Sequence, residues 1–127
     1  MQKKLIELER PGKIINISSK SGFFVNSPGR SHYATSKGAM ITLTKALARE
    51  FTKHGIIVNG IAPGILRTPL NDELLEDKEV EKNYLKRIPL GRLTDPMEIA
   101  NIVSFLASDK SESIVGTTID ATGGMLI

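Results

Sequence analysis

Lys13-Ile14-Ile15-Asn16-Ile17-Ser18-Ser19 and, fourteen residues beyond Ser19, Tyr33-Ala34-Thr35-Ser36-Lys37 are the stretches whose reading decides the fold. The first is almost continuous in isoleucine. Continuous rather than alternating hydrophobicity predicts a parallel strand covered on both faces. The second opens a helical pattern running from about His32 to Lys53, with Ile41, Leu43, Leu47 and Phe51 among small residues. Gly38, Ala39, Ala46 and Ala48 leave room for a neighbouring element, and the alanines favour the helix. Tyr33 and Lys37, four apart, share one helix face. An ammonium beside a phenol favours the phenolate and brings proton exchange toward neutral pH. A serine hydroxyl at the strand end can bond the same substrate oxygen, which makes a proton-transfer site for an alcohol or a carbonyl. Tyrosine and lysine at this spacing also occur in ordinary helices, as a core-edge ring and a solvated amine, so the neighbouring segments must decide.

Beyond this helix, His54 at its negative end and Gly55 as a left-handed cap close it, and Ser31 or a neighbour is expected to cap its start. Ile56-Ile57-Val58-Asn59-Gly60-Ile61 is a second strand, followed at once by Ala62-Pro63-Gly64. Strand, helix and strand within about fifty residues form a right-handed parallel crossover. Ligands of open parallel sheets lie beyond the carboxyl ends of the strands, where Ser19 and Pro63-Gly64 both fall. Asn71 to Arg87 reads as one or two short exposed helices, with the run from Glu73 to Lys82 as a solvated face. Asp95-Pro96-Met97-Glu98 starts another helix, through Ile99, Ile102, Val103 and Leu106 to about Ser108. Ser113 to Gly116 reads as a turn and Thr117 to Ala121 as a third strand. Met1 to Arg10 resembles a helix tail ended by Pro11-Gly12.

The 127 residues suit one compact domain. A composition of 40% hydrophobic and 24% charged residues is ordinary for a globular chain. Seventeen basic and fourteen acidic side chains, interspersed to a net +3, give no case for a nucleic-acid or membrane partner. The chain has no cysteine, hence no disulfide or thiolate metal site, and its two histidines, His32 and His54, are too separated for a metal cluster. No apolar run reaches membrane-spanning length and no signal-peptide core opens the chain, so the expected location is cytoplasmic. Asn16-Ile17-Ser18 matches a glycosylation acceptor but lies within the strand pattern.

In this order the segments resemble the carboxyl-terminal half of a classical short-chain dehydrogenase/reductase. The resemblance rests on Ile15-Asn16-Ile17-Ser18-Ser19, Tyr33 with Lys37-Gly38-Ala39, Val58-Asn59-Gly60-Ile61-Ala62-Pro63-Gly64, Gly91-Arg92 with Asp95-Pro96 and Glu98-Ile99-Ala100, and Gly116-Thr117 through Gly123-Gly124. Five pieces in register are far more specific than any one. The resemblance implies an α/β fold, the carboxyl-terminal half of a Rossmann-like doubly wound parallel sheet, with three parallel strands and crossover helices. Residues 1–127 would form a partial NAD(P)-binding domain, with residues 71–87 as the substrate lid. It implies that Ser19 orients the substrate oxygen, with Ser18 as the alternative if the register slips by one. Tyr33 would be the general acid–base, and Lys37 would favour its phenolate and bond the nicotinamide ribose. The backbone of Pro63, Gly64 and Ile65, with Thr68 nearby, would hold the nicotinamide carboxamide. The cofactor would be NAD or NADP, the substrate a small alcohol or ketone, and the assembly a homo-oligomer through the Tyr33-bearing helix.

The departures from the family pattern are as informative. None of the eleven glycines opens a strand-to-helix phosphate loop, and the family's Asn-Ala-Gly segment and relay asparagine have no counterpart. Thr122 stands where the family carries aspartate before Gly123-Gly124. The expected activity is therefore NAD(P)-dependent interconversion of a secondary alcohol and a ketone, with two alternatives: a non-catalytic remnant or interaction module, or one half of a split enzyme. The chain alone is expected to be inactive for want of a dinucleotide-binding half, with its isoleucine strand as an open sheet edge. Arg92 is expected to be a structural charge, His32 a residue of the site rim, and Tyr84 packing for the lid.

Overall fold

The computed structural model describes residues 6–7, 10–25 and 28–127. It contains strand β1 (Gly12–Ile17), helix α1 (Ser31–Phe51), strand β2 (Ile56–Pro63), helices α2 (Pro69–Glu76), α3 (Lys78–Leu85) and α4 (Pro96–Ala107), and strand β3 (Thr118–Ala121). A single 3-10 turn, Lys20–Gly22, lies between β1 and α1. The helix expected over residues 1–10 lies largely outside the described residues, of which 6–7 are helical.

The strands form one parallel sheet in the order β1-β2-β3. Side chains alternate along β2, and the two helix layers follow from that alternation. Ile56 and Val58 pack with Ala48, Ile14, Leu47 and Phe51 on the α1 side. Ile61 packs with Ile99 and Leu106, and with Ile15 and Ile119, on the α4 side. Ile56, Val58 and Ile61 have no exposed surface, and each such side chain stabilises the fold by about 1.5–3 kcal/mol. Strand β2, in the middle of the sheet, is covered on both faces, whereas β1, at its edge, is half-buried and leaves Ile17 exposed.

Helix α1 buries Ala34, Ile41, Thr44 and Ala48, a stripe at helical spacing. It ends in a 3-10 turn, Thr52–His54, closed by Gly55 at φ 73°. Arg30, the neighbour of Ser31, holds the cap position but makes no side-chain bond there, and Ser31 is the first helical residue. Strand β2 runs two residues further than its apolar pattern, through Pro63. The N–H groups of Gly60 and Gly64 bond Thr117 and Ala121 on the β3 side. Pro63 therefore turns its missing N–H toward β1, which has already ended at Ile17. Buried Asn59 ties β2 to the approach of β3: its Nδ2 donates to the Ile114 carbonyl at 2.6 Å, and its Oδ1 accepts from the Thr117 N–H at 3.1 Å.

The segment between β2 and α4 forms two short helices, mostly exposed as expected, but Leu75 is fully buried. Glu81, inside the run read as solvated, is half-buried and bonds Arg67 and Lys78. Asp95 and Glu98 make the expected capping box, at 2.7 Å to the Met97 N–H and 2.8 Å to the Asp95 N–H. Arg92 grips Glu98 through two bonds of 2.8 Å, the structural charge that was expected. No helix among the described residues is long and apolar enough to cross a membrane.

Two outcomes follow from this packing. A Cβ on Gly22 would lie 2.8 Å from the Lys37 carbonyl carbon and oxygen and 2.7 Å from Ile41 Cδ1. Gly22→Ala should therefore lower stability by about 1–3 kcal/mol in urea unfolding, through overpacking of the turn against α1. The Arg92 guanidinium, then the Asp95 N–H, hold the Glu98 carboxyl at about 2, below its ordinary 4.5. A folded-state value below the unfolded one gives a contribution that is complete above pH 4.5 and lost as pH falls toward 2. The thermal midpoint of Glu98→Gln should fall less steeply over that interval than that of the parent chain.

Candidate active site

The end of β1 and the head of α1 are joined by two bonds running in opposite directions. The Ser18 hydroxyl donates to the Lys37 carbonyl at 2.8 Å, and the Lys37 ammonium donates to the Ile17 carbonyl at 3.0 Å. The Ser18 N–H also continues the ladder to the Ile61 carbonyl at 2.7 Å. Ser18 is therefore spent on holding the helix to the sheet. Ser19, one residue on, faces a cavity of about 510 Å³.

That cavity also receives Tyr33, Gly64 and Ile65, with Asn71 and Tyr84 on the side of α2 and α3. Ser19 is 8% exposed and sits at the head of the 3-10 turn, where its Oγ accepts from the Ser21 N–H at 3.2 Å. With that acceptor position used, the O–H remains available to donate outward. The Tyr33 hydroxyl makes no hydrogen bond to the described residues, and the Lys37 Nζ lies 5.8 Å from the centre of its ring. Ser19 and Tyr33 thus both line one cavity, and a hydroxyl of either kind can donate a hydrogen bond to, or exchange a proton with, an oxygen bound there.

The other residues named from the sequence fall nearby but not all in the lining. Lys37 stands behind Tyr33, held by its bond to β1. Pro63 is buried as the last residue of β2, and Thr68 takes the cap position of α2 without a side-chain bond. Gly64 sits so close to Thr122 that a Cβ would fall 3.0 Å from the Thr122 Cα. The strand end therefore brings bare backbone to the cavity wall. His32 lies at the cavity as expected of a rim residue, and Tyr84, expected to pack the lid, lines the cavity as well.

Sequence reasoning did not single out Lys20, Arg30 or Asn71, all of which line the cavity. Lys20 had one available signal, its place directly after Ser19. It is 9% exposed, and burial, then the charges of Arg87 and Arg30, hold its ammonium below the ordinary lysine value of 10.5. Among the described residues no carboxylate lines the cavity.

Comparison with known proteins fits this geometry. The family described as Enoyl-(Acyl carrier protein) reductase matches residues 1–126. The 3-oxoacyl-(acyl-carrier-protein) reductase FabG of Thermotoga maritima is 42% identical over 119 residues, 94% of this chain and 47% of that protein. Its Staphylococcus aureus counterpart is 44% identical over 117 residues, 92% of this chain and 46% of that protein. Among solved structures, 4-hydroxyisoleucine dehydrogenase complexed with NADH superposes with a TM-score of 0.95 at 35% identity, covering 98% of this chain and 51% of that one. A gluconate 5-dehydrogenase from Burkholderia cenocepacia in complex with NADP and tartrate gives 0.90 at 36% identity, covering 97% and 48%. The chain spans about half the length of the curated relatives it matches. Its parallel sheet is the corresponding part of their Rossmann-like fold, and the chain belongs to the short-chain dehydrogenase/reductase family.

Proposed function

We propose that this chain carries the acid–base end of an NAD(P)-dependent oxidoreductase site that interconverts a secondary alcohol and a ketone. The observation that supports this most directly is the convergence of Ser19 and Tyr33 on one cavity, with Lys37 fixed behind the tyrosine ring. In the reductive direction Tyr33 gives its phenolic proton to the substrate oxygen, and in the oxidative direction it takes that proton back. Ser19 orients the same oxygen with its O–H. Lys37, fixed by its bond to β1, stands beside the ring of that tyrosine.

The nicotinamide ring, when bound, supplies or accepts the hydride. Tyr33, Lys37, Pro63, Gly64, Ile65 and Thr68 would hold its ribose and carboxamide, and the bare backbone at Gly64 suits a flat ring. The diphosphate finds no glycine-rich strand-to-helix loop in this chain. The reaction on this reading needs a dinucleotide-binding half in addition to these residues. Residues 71–87, through Asn71 and Tyr84, act as the substrate lid and set which alcohol is admitted. The relatives named above are a 3-oxoacyl-(acyl-carrier-protein) reductase, a 4-hydroxyisoleucine dehydrogenase and a gluconate 5-dehydrogenase, so the reaction type is better supported than any one substrate. The outer face of α1, with exposed Ala39, Leu43 and Ala46, is suited to packing against a second copy of the chain.

The test is reconstitution. The purified chain is mixed with the dinucleotide-binding half of a relative, and NAD(P)H oxidation is followed with a ketone. Turnover should appear only in the mixture, and Tyr33→Phe should reduce it by about 10²–10⁴-fold, the range of a lost general acid. Turnover unaffected by Tyr33→Phe would refute the proposed role. Micromolar binding of NADH or NADPH by the chain alone would refute the need for the second half.

A further inference from the structure

Among the described residues, the cavity wall beside Ser19 carries two cations and no carboxylate. Lys20 contributes a side chain from the 3-10 turn, and its Nζ has no hydrogen bond or ion pair among the described residues. Arg30, at the start of α1, lines the same cavity and likewise has no side-chain partner. Elsewhere Arg67 and Lys78 pair with Glu81, and Arg92 with Glu98. Like charges brought together on one wall favour an incoming anion, and among the described residues no aspartate or glutamate lines the cavity.

Burial, then the Arg87 and Arg30 charges, press on the Lys20 ammonium, so an incoming negative charge there is favoured. The lining otherwise supplies polar but uncharged partners in Asn71 and Tyr84, with His32 at the rim.

We propose that the substrate carries a carboxylate or phosphate near the reacting carbon, bound by Lys20 and Arg30 at the cavity wall beside Ser19. This rests on the oxidoreductase reading for the identity of the reacting group, but not for the anion site itself.

Two probe pairs separate the anion from the rest of the molecule: 3-hydroxybutyrate against 3-hydroxybutanamide, and glycerol 3-phosphate against glycerol. Binding to the full chain is followed by NMR titration. At least one anion should bind about tenfold or more tightly than its neutral analogue, the scale of a charge-assisted bond. Whichever pair shows the preference identifies carboxylate or phosphate as the recognised group. Lys20→Met should abolish the preference, with a thermal midpoint no lower than the parent's because an uncompensated charge is removed. Arg30→Gln, at an exposed position, should reduce the preference by about threefold. Equal binding within both pairs, or a preference unchanged in Lys20→Met, would overturn the proposal. So would a Lys20→Met effect confined to NADPH, which would assign the anion to the cofactor. Anion selectivity lost in Lys20→Met supports the site even if the reconstituted mixture shows no turnover. Turnover of 3-hydroxybutanamide equal to that of 3-hydroxybutyrate would overturn the anion site and leave the oxidoreductase reading intact.

Discussion

The paired bonds between Ser18, Lys37 and Ile17 set where everything else in the site can be. One bond runs from the strand to the helix backbone and the other from a helix side chain to the strand backbone. Together they hold the first turns of α1 against the carboxyl end of β1, and Gly22 allows the intervening turn to lie against the helix without a clash. The arrangement uses Lys37 twice: its carbonyl anchors the strand and its ammonium stands near the Tyr33 ring. A lysine free in solvent would lose rotamer entropy each time it approached the ring. Here the bond to Ile17 has already fixed it.

How much of this was legible in the sequence depended on how local the cause was. The isoleucines of β1 and β2, the Asp95-Pro96-Glu98 helix start and the Gly55 cap each follow from short-range physics, and the structure matches them to within one or two residues. The start of α1 lies within a residue of the expected one, but no side chain caps it, because the direction in which the loop enters the helix is a tertiary property. The apolar pattern of β2 ends at Ile61, and a proline is a poor strand residue in general. Only the sheet order reveals that the missing donor of Pro63 points to the side on which β1 has already ended.

The site divides the same way. Ser19, Tyr33 and Gly64 are placed by strand ends and one helix turn, so pattern alone brings them together. Lys20, Arg30, Asn71 and Tyr84 reach the cavity from a 3-10 turn, a loop and two separate short helices. Nothing in their spacing predicts that convergence, since it depends on how α2 and α3 fold back over the strand ends.

Asn59 shows how a strand of four residues can be assigned its place. Strand β3 carries too few apolar side chains for hydrophobic alternation to specify its pairing firmly. A shift by one residue would turn Ile119 and Ala121 away from the α4 layer. It would also separate the Asn59 amide from both Ile114 and Thr117, stranding a donor and an acceptor in a buried position. Thr118 opposes the same shift from the other side, because Gly60 admits its side chain where any larger residue would collide. The amide and the glycine thus act as a ruler for the last strand, measuring its alignment with polar complementarity and shape where greasiness alone is too coarse.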